Sequence, residues 1–189
     1  MAVKIDPLQT ETLMTGEELL AMGDIGPYEL VEGRIVPMSP TGHKHARYES
    51  NFDEYLKAFV RQHNLGQVMV GEVGIYTHRN PDTVRGADVA FISNERYAQQ
   101  KKESGFLEVA PELVVEILSP DDRWSDVMQK LREYFAIGVK LVWVADPETR
   151  TVYAYRSLTD VREFGEADTL TGDDVLPGFS VPVASLFEE

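Results

Sequence analysis

The stretch "PELVVEILSP", residues 111–120, decides how the rest of the chain is read. Leu113, Val114, Val115, Ile117 and Leu118 form an almost unbroken run of apolar β-formers. Such a run suits a strand buried on both faces. Glu116 interrupts it. A carboxylate taken out of water without a partner either becomes neutral or recruits a cation. The stretch therefore predicts a central strand with an unusual charge inside it, and it raises the question of what that glutamate is paired with.

A second run, "ADVAFI" at 87–92, has the same character, with Asp88 as its one acid. If the two strands pair, Asp88 and Glu116 stand side by side. Unit charges ~4 Å apart repel by about 4 kcal/mol at an effective dielectric near 20. That repulsion is relieved by protonating one acid or by placing a cation between them. A hard dication held by one or two carboxylates and several waters describes Mg²⁺. The alternative is that each acid pairs with a nearby arginine, such as Arg85 or Arg123, or lies at a strand end in water.

Around these strands the chain reads as a mixed sheet with helices on its faces, an α/β arrangement. "TGEELLAM", 15–22, opens a helix with Thr15 and Glu18 at capping-box spacing. "YELVEGRIVPM", 28–38, reads as a hairpin turning at Glu32-Gly33, with a positive φ at Gly33. A long helix is expected from about 43 to 63, with Phe52, Leu56, Phe59 and Val60 inward and His45 on the same side. "QVMVGEVGIYT", 67–77, is one bent strand or two, broken at Gly71 and Gly74, and "RNPDTVRG" reads as turn. "SNERYAQQKK", 93–102, is a polar helix or loop. A second helix, about 122–137, presents Trp124, Val127, Met128, Leu131, Tyr134 and Phe135 as its apolar face and stops at Gly138. "KLVWVAD" and "TVYAYR" form a further hairpin, and the tail after 173 holds a strand or two.

Composition narrows the class. A chain of 189 residues with 43% hydrophobic content supports one full core, and residues 1–189 are expected to be a single domain. There are no cysteines, which excludes disulfides and thiolate metal sites. No leader-like segment and no window of about 18 apolar residues is present, so a soluble cytoplasmic protein that does not cross a membrane is expected. Net charge is −14, with 32 acids against 18 lysines and arginines. Nucleic-acid affinity comes largely from basic groups, so a chain this acidic must concentrate its positive charge locally if DNA is its partner.

The helix after the Glu116 strand packs back on the sheet, and Lys130 lies at the edge of its apolar stripe, beside Val127 and Tyr134. An isolated lysine there is ordinarily a stem covering core surface. The same lysine could also extend its ammonium to the mouth of a site between the two acidic strands.

"RGADVAFI", "PELVVEILSPDDRW", "KLREYFAIGVKLVWVADP" and "LPGFSVPVASLF" resemble the Uma-type restriction endonuclease family, which is placed in the PD-(D/E)XK nuclease superfamily. The resemblance runs from about residue 15 to 187. It implies a restriction-endonuclease-like mixed β-sheet flanked by helices, and Mg²⁺-dependent hydrolysis of DNA phosphodiesters, with Mn²⁺ as a substitute. Asp88 matches the first acid of the superfamily pattern and Glu116 the second. The position two after Glu116, where a lysine is usual, is Leu118, and Lys130 matches a lysine moved to the following helix. Ala87 replaces the usual proline, losing rigidity but no chemical group. On this resemblance Asp88, Glu116 and the Ile117 carbonyl hold the metal, Lys130 orients the water, and His45 matches a recurrent histidine that either contacts phosphate or donates a proton, the alternative being a satisfied histidine at the core edge. Cutting both strands needs two sites, so a homodimer is expected. Glu32, Glu49 and Glu72 are weaker candidates, Glu32 being explained by its turn. The acidic total motivates a second possibility, a nuclease fold kept as a non-catalytic binding or assembly module.

Overall fold

The structure, a computed structural model, describes residues 13–23, 25–101 and 105–188; the first twelve residues and Lys102, both read above from sequence, lie outside it. In chain order it contains α1 (Gly16–Ala21), β1 (Tyr28–Val31), β2 (Arg34–Pro37), α2 (His43–Gln62), β3 (Gly66–His78), β4 (Thr83–Ser93), α3 (Asn94–Tyr97), β5 (Leu113–Ile117), α4 (Trp124–Ile137), β6 (Leu141–Asp146), β7 (Thr151–Ser157), β8 (Asp160–Phe164), β9 (Thr169–Gly172), β10 (Leu176–Pro182) and α5 (Val183–Leu186). Eight strands form one sheet in the order β2-β1-β4-β5-β6-β7-β8, with β3 also on β4, and β9 and β10 form a separate hairpin. All pairings are antiparallel except β5 with β6, which are parallel and joined through α4. A parallel pair needs such a crossover, because a hairpin cannot return the chain in the same direction.

The two long helices cover opposite faces. Tyr48, Phe52, Leu56 and Val60 recur every four residues along α2 and pack with Val89, Phe91, Val115, Trp143, Phe179 and Phe187. Val127, Leu131 and Tyr134 of α4 pack with Ala87, Val114, Val142 and Val144 on the other side. β5 is thus covered on both faces, as its continuous apolar run requires. No helix among the described residues is long and apolar enough to cross a membrane.

Local chemistry accounts for the element ends. Thr15 and Glu18 form the reciprocal capping box. Gly138 closes α4 at φ 97°, a conformation that carries little penalty without a Cβ. Both hairpin residues, Glu32 (φ 50°) and Gly33 (φ 75°), adopt positive φ, as a turn matched to strand twist demands. Thr83–Gly86 turns out to be strand rather than turn, because β3 supplies partners as far as His78↔Thr83. The strands β8 and β9 lie in a polar segment that periodicity did not single out, and their partners fix them instead.

Trp124 departs from expectation. It shares helical phase with Leu131 yet is 57% exposed, against 1% for Leu131. Phase fixes a face, but burial along α4 begins only at Val127.

At Gly66, β3 crosses close to β4: an added Cβ would lie 2.1 Å from the Ile92 carbonyl oxygen and 2.8 Å from Ser93 Cα. Both obstacles are backbone and cannot swing aside. Gly66→Ala is expected to destabilise the fold by about 1–3 kcal/mol, measured as a lower urea midpoint at unchanged slope.

Candidate active site

The site grows from a fork in the sheet. One edge of β4 is paired along its length by β3. Its other edge is shared, with β1 at Leu30↔Val84 and β5 at Val89↔Val115 through Phe91↔Leu113. Between these contacts the two neighbours diverge, and on this edge residues 85–88 of β4 have no strand partner. Buried backbone groups need partners, and here side chains supply them. The Gly86 N–H donates to Glu29 Oε1 (3.1 Å), the Gly86 carbonyl accepts from Lys130 Nζ (3.2 Å), and the Ile117 N–H donates to Asp88 Oδ2 (2.6 Å).

The expected acids therefore meet at the fork, each with its own partners. Neither uses an arginine: Arg85 is taken by Glu29 and Glu133. Glu116 accepts from Lys130 Nζ at Oε2 (2.9 Å) and from the Tyr134 hydroxyl at Oε1 (2.7 Å). Asp88 lies 3.5 Å from His45 Nε2, which also sits 2.8 Å from the Ile117 carbonyl oxygen. Lys130 does not wait at the mouth. It is drawn in between Glu116 and Glu29, the latter at 3.1 Å.

Electrostatics follow from this crowding. The hydrogen bond to Asp88 is the largest influence on His45 and, against burial, raises its pKa to about 9, so the ring is an imidazolium at neutral pH. Burial pushes the Glu116 carboxyl up to about 7; Lys130 opposes the shift and Asp88 adds to it. Burial disfavours the Lys130 ammonium, but Glu116 and Glu29 outweigh it and hold the pKa above the usual lysine range. Tyr134 is raised well above its ordinary value by burial and stays a donor.

A bulge brings a further acid toward the fork. Gly71 and Glu72 together oppose Asp88, since Val70 pairs with Val89 and Val73 with Ala87. Both bulge residues have positive φ. Glu72 packs over Gly86, where an added Cβ would come 2.4 Å from its Oε2. Burial, then the charge of Asp88, raises the Glu72 carboxyl. Glu49, one turn after His45, is raised for the same two reasons and accepts from the Gly71 backbone. Glu32 belongs to the hairpin turn, its amide donating to Thr83 Oγ1 (3.0 Å).

Sequence reasoning missed Glu29 and gave Tyr134 only an apolar role. Glu29 joins Gly86, Arg85 and Lys130, and it is 6% exposed. A lone acid in a short alternating strand is the only signal it gives. Behind it, Arg85 grips Glu133 through Nε (2.6 Å) and Nη2 (2.8 Å) and reaches Glu29 Oε2 (2.8 Å).

These features define a mixed α/β protein whose charged centre lies at the divergence of central strands. The chain belongs to the Uma2 family, described as "Putative restriction endonuclease", whose sequence profile matches residues 17–184. Among solved structures it is similar to "a putative nuclease belonging to DUF820 from Anabaena variabilis ATCC 29413", with a TM-score of 0.77 and 21% identity over 92% of this chain and 97% of that one. At that identity the likeness concerns the fold. No curated protein matches the chain.

Proposed function

We propose that the protein is a metal-dependent endonuclease hydrolysing DNA phosphodiester bonds. The observation that carries this reading is the meeting of Asp88, Glu116 and the Ile117 carbonyl at one fork with the Lys130 ammonium on Glu116. Family membership supports it.

The donor set fits a hard dication in kind. Carboxylates and a backbone carbonyl are the ligands Mg²⁺ prefers, and Glu49, Glu72 and Glu116 all carry raised carboxyl pKa values in the field of Asp88. Among the described residues no three acidic or histidine side chains close around a common point. His45 stands between the Ile117 carbonyl and Asp88, and Lys130 covers Glu116. Asp88, Glu116 and the Ile117 carbonyl would hold the ion. The chemistry Mg²⁺, or Mn²⁺ in its place, supplies when bound is polarisation of a phosphoryl oxygen and a lowered pKa for a coordinated water. The chain's own groups do the rest. Lys130, held on Glu116, would orient the water and offset negative charge developing on the phosphate. His45, on the Ile117 carbonyl and 3.5 Å from Asp88, would contact the phosphate or give a proton to the leaving oxygen. Two such sites in a homodimer would cut both strands.

A second reading, a non-catalytic binding or assembly module, is favoured by one observation: both acids are already satisfied by partners within the protein. Plasmid DNA incubated with Mg²⁺ or Mn²⁺ separates the two. Cleavage is expected, with Asp88→Asn slower by about 100-fold or more, as for loss of one group that organises charge in a transition state. Wild-type rates in Asp88→Asn and Glu116→Gln would refute the nuclease reading.

A further inference from the structure

Trp124 is the most exposed large hydrophobic side chain among the described residues, at 57%. Burying such a ring is ordinarily favourable, yet it stands in water at the start of α4, next to Arg123, which occupies the N-cap without a side-chain capping bond. Trp124 lies six residues before Lys130 on the same helix, about 9 Å along the axis. β5 ends at Ile117, and residues 118–123 carry the chain from there to Trp124.

The first turn of α2 comes to the same end of β5, tied there by His45 Nε2 on the Ile117 carbonyl. Around this tie His43, Lys44 and Arg47 are exposed and, with Tyr48, line a dent of about 120 Å³. The first turn of α2 contains no acid. Cations at a helix start run against the macrodipole, so this helix gains nothing locally from the pattern. Lys44 and Arg47 give this turn two basic residues in a chain of net charge −14, with Glu49 following one turn after His45. The linking loop has the opposite character. It carries Asp121 and Asp122, the latter accepting from the Ser119 N–H (2.7 Å). Those carboxylates oppose phosphates on the loop, so Trp124 and the neighbouring Arg123 offer a ring and a planar cation rather than a phosphate site.

We propose that this rim binds DNA with an unpaired base beside the scissile phosphate, the base stacking on Trp124 next to Arg123 while Lys44 and Arg47 take backbone phosphates. The proposal rests on the nuclease reading and deepens it by naming the substrate class, single-stranded or locally unpaired DNA. A base inside a duplex offers no free face to an indole, whereas an unpaired base does, whatever its identity.

The experiment titrates the full chain, in EDTA, into fluorescein-labelled oligo(dT) and a labelled duplex of equal length, following anisotropy for every variant and tryptophan fluorescence as a second signal in the wild type. The chain has two tryptophans, and Trp143 is fully buried, so Trp124 is the solvent-facing reporter. Oligo(dT) is expected to quench the signal and to bind more tightly than the duplex. Trp124→Ala should lose the quenching and about tenfold in affinity, with Trp124→Phe retaining most of the affinity. The double variant Lys44→Glu, Arg47→Glu should bind more weakly and show a shallower salt dependence. Oligo(dT) affinity unchanged in Trp124→Ala, or duplex preferred whether or not Trp124 is present, overturns the proposal. So does concentration-dependent self-association that Trp124→Ala abolishes, since the indole would then be a protein contact. Without divalent ions the titration does not depend on catalysis. Trp124-dependent binding with no cleavage of any substrate refutes the nuclease reading alone; cleavage of single strands indifferent to Trp124→Ala refutes the platform alone.

Discussion

A Lys130→Met variant is expected to lose about 3–5 kcal/mol of folding stability, the usual result of removing one partner from a buried ion pair. Methionine matches the stem of lysine but carries no donor. Its introduction leaves Glu116 Oε2, Glu29 Oε1 and the Gly86 carbonyl without the ammonium that now bonds to all three. Glu116→Gln should cost less, because Lys130 keeps Glu29 and Gly86 while Tyr134 can still donate to the amide oxygen. The double variant Lys130→Met, Glu116→Gln should therefore be more stable than Lys130→Met alone, a coupling that chemical denaturation of all four proteins reads directly. Additive losses, or a Lys130→Met protein as stable as wild type, would show that the ammonium does not hold the fork together. Cleavage should be lost in every member of the set that lacks Lys130 or Glu116.

Arg85→Met is expected to have an effect of similar size, again about 3–5 kcal/mol, for a different reason. Arg85 lies behind the fork, its side chain 10% exposed, joining Glu29 of β1 to Glu133 of α4. Against burial, its hydrogen bonds and charge hold the Glu133 carboxyl below the usual range. Without it Glu133 loses its counter-charge, keeping Thr77 and Gln129 as donors, and Glu29 is left with Lys130 as its cation. Arg85→Lys should recover only part of the loss, since an ammonium keeps the charge but cannot reproduce the fork on Glu133. Because Glu29 also holds Lys130, the folded fraction of Arg85→Met should cleave more slowly at saturating substrate. Equal rates per folded molecule would separate the two clusters.

Both predictions concern the same compromise. Central strands that diverge expose backbone groups in the interior, and the chain satisfies them with charged side chains rather than with another strand. Gly86 shows the geometric side of this. It accepts Lys130, donates to Glu29 and leaves room for Glu72, and any side chain there would meet the Glu72 carboxylate first.

Much of the architecture follows from local rules. The apolar run at 113–117 could be stable only between two layers, the helical recurrence of Phe52, Leu56, Phe59 and Val60 could bury only one face, and Thr15 with Glu18 could cap only a helix start. Asp88 and Glu116 announced themselves because each is an acid where burial penalises charge. None of these readings depends on knowing which distant segments meet.

The partners of those acids were decided by the tertiary structure. Whether Lys130 faces solvent or Glu116, whether Glu29 is an ordinary strand residue or the hub of the fork, and whether Trp124 packs or stands in water depend on β1 and β5 sharing one edge of β4. That sharing joins Leu30 to Val84 and Val89 to Val115, 54 and 26 residues apart in the chain, through hydrogen bonds that every backbone can make. Side-chain pattern carries information about burial, a local property. The choice of neighbour at a strand edge is cooperative, and only the assembled sheet expresses it.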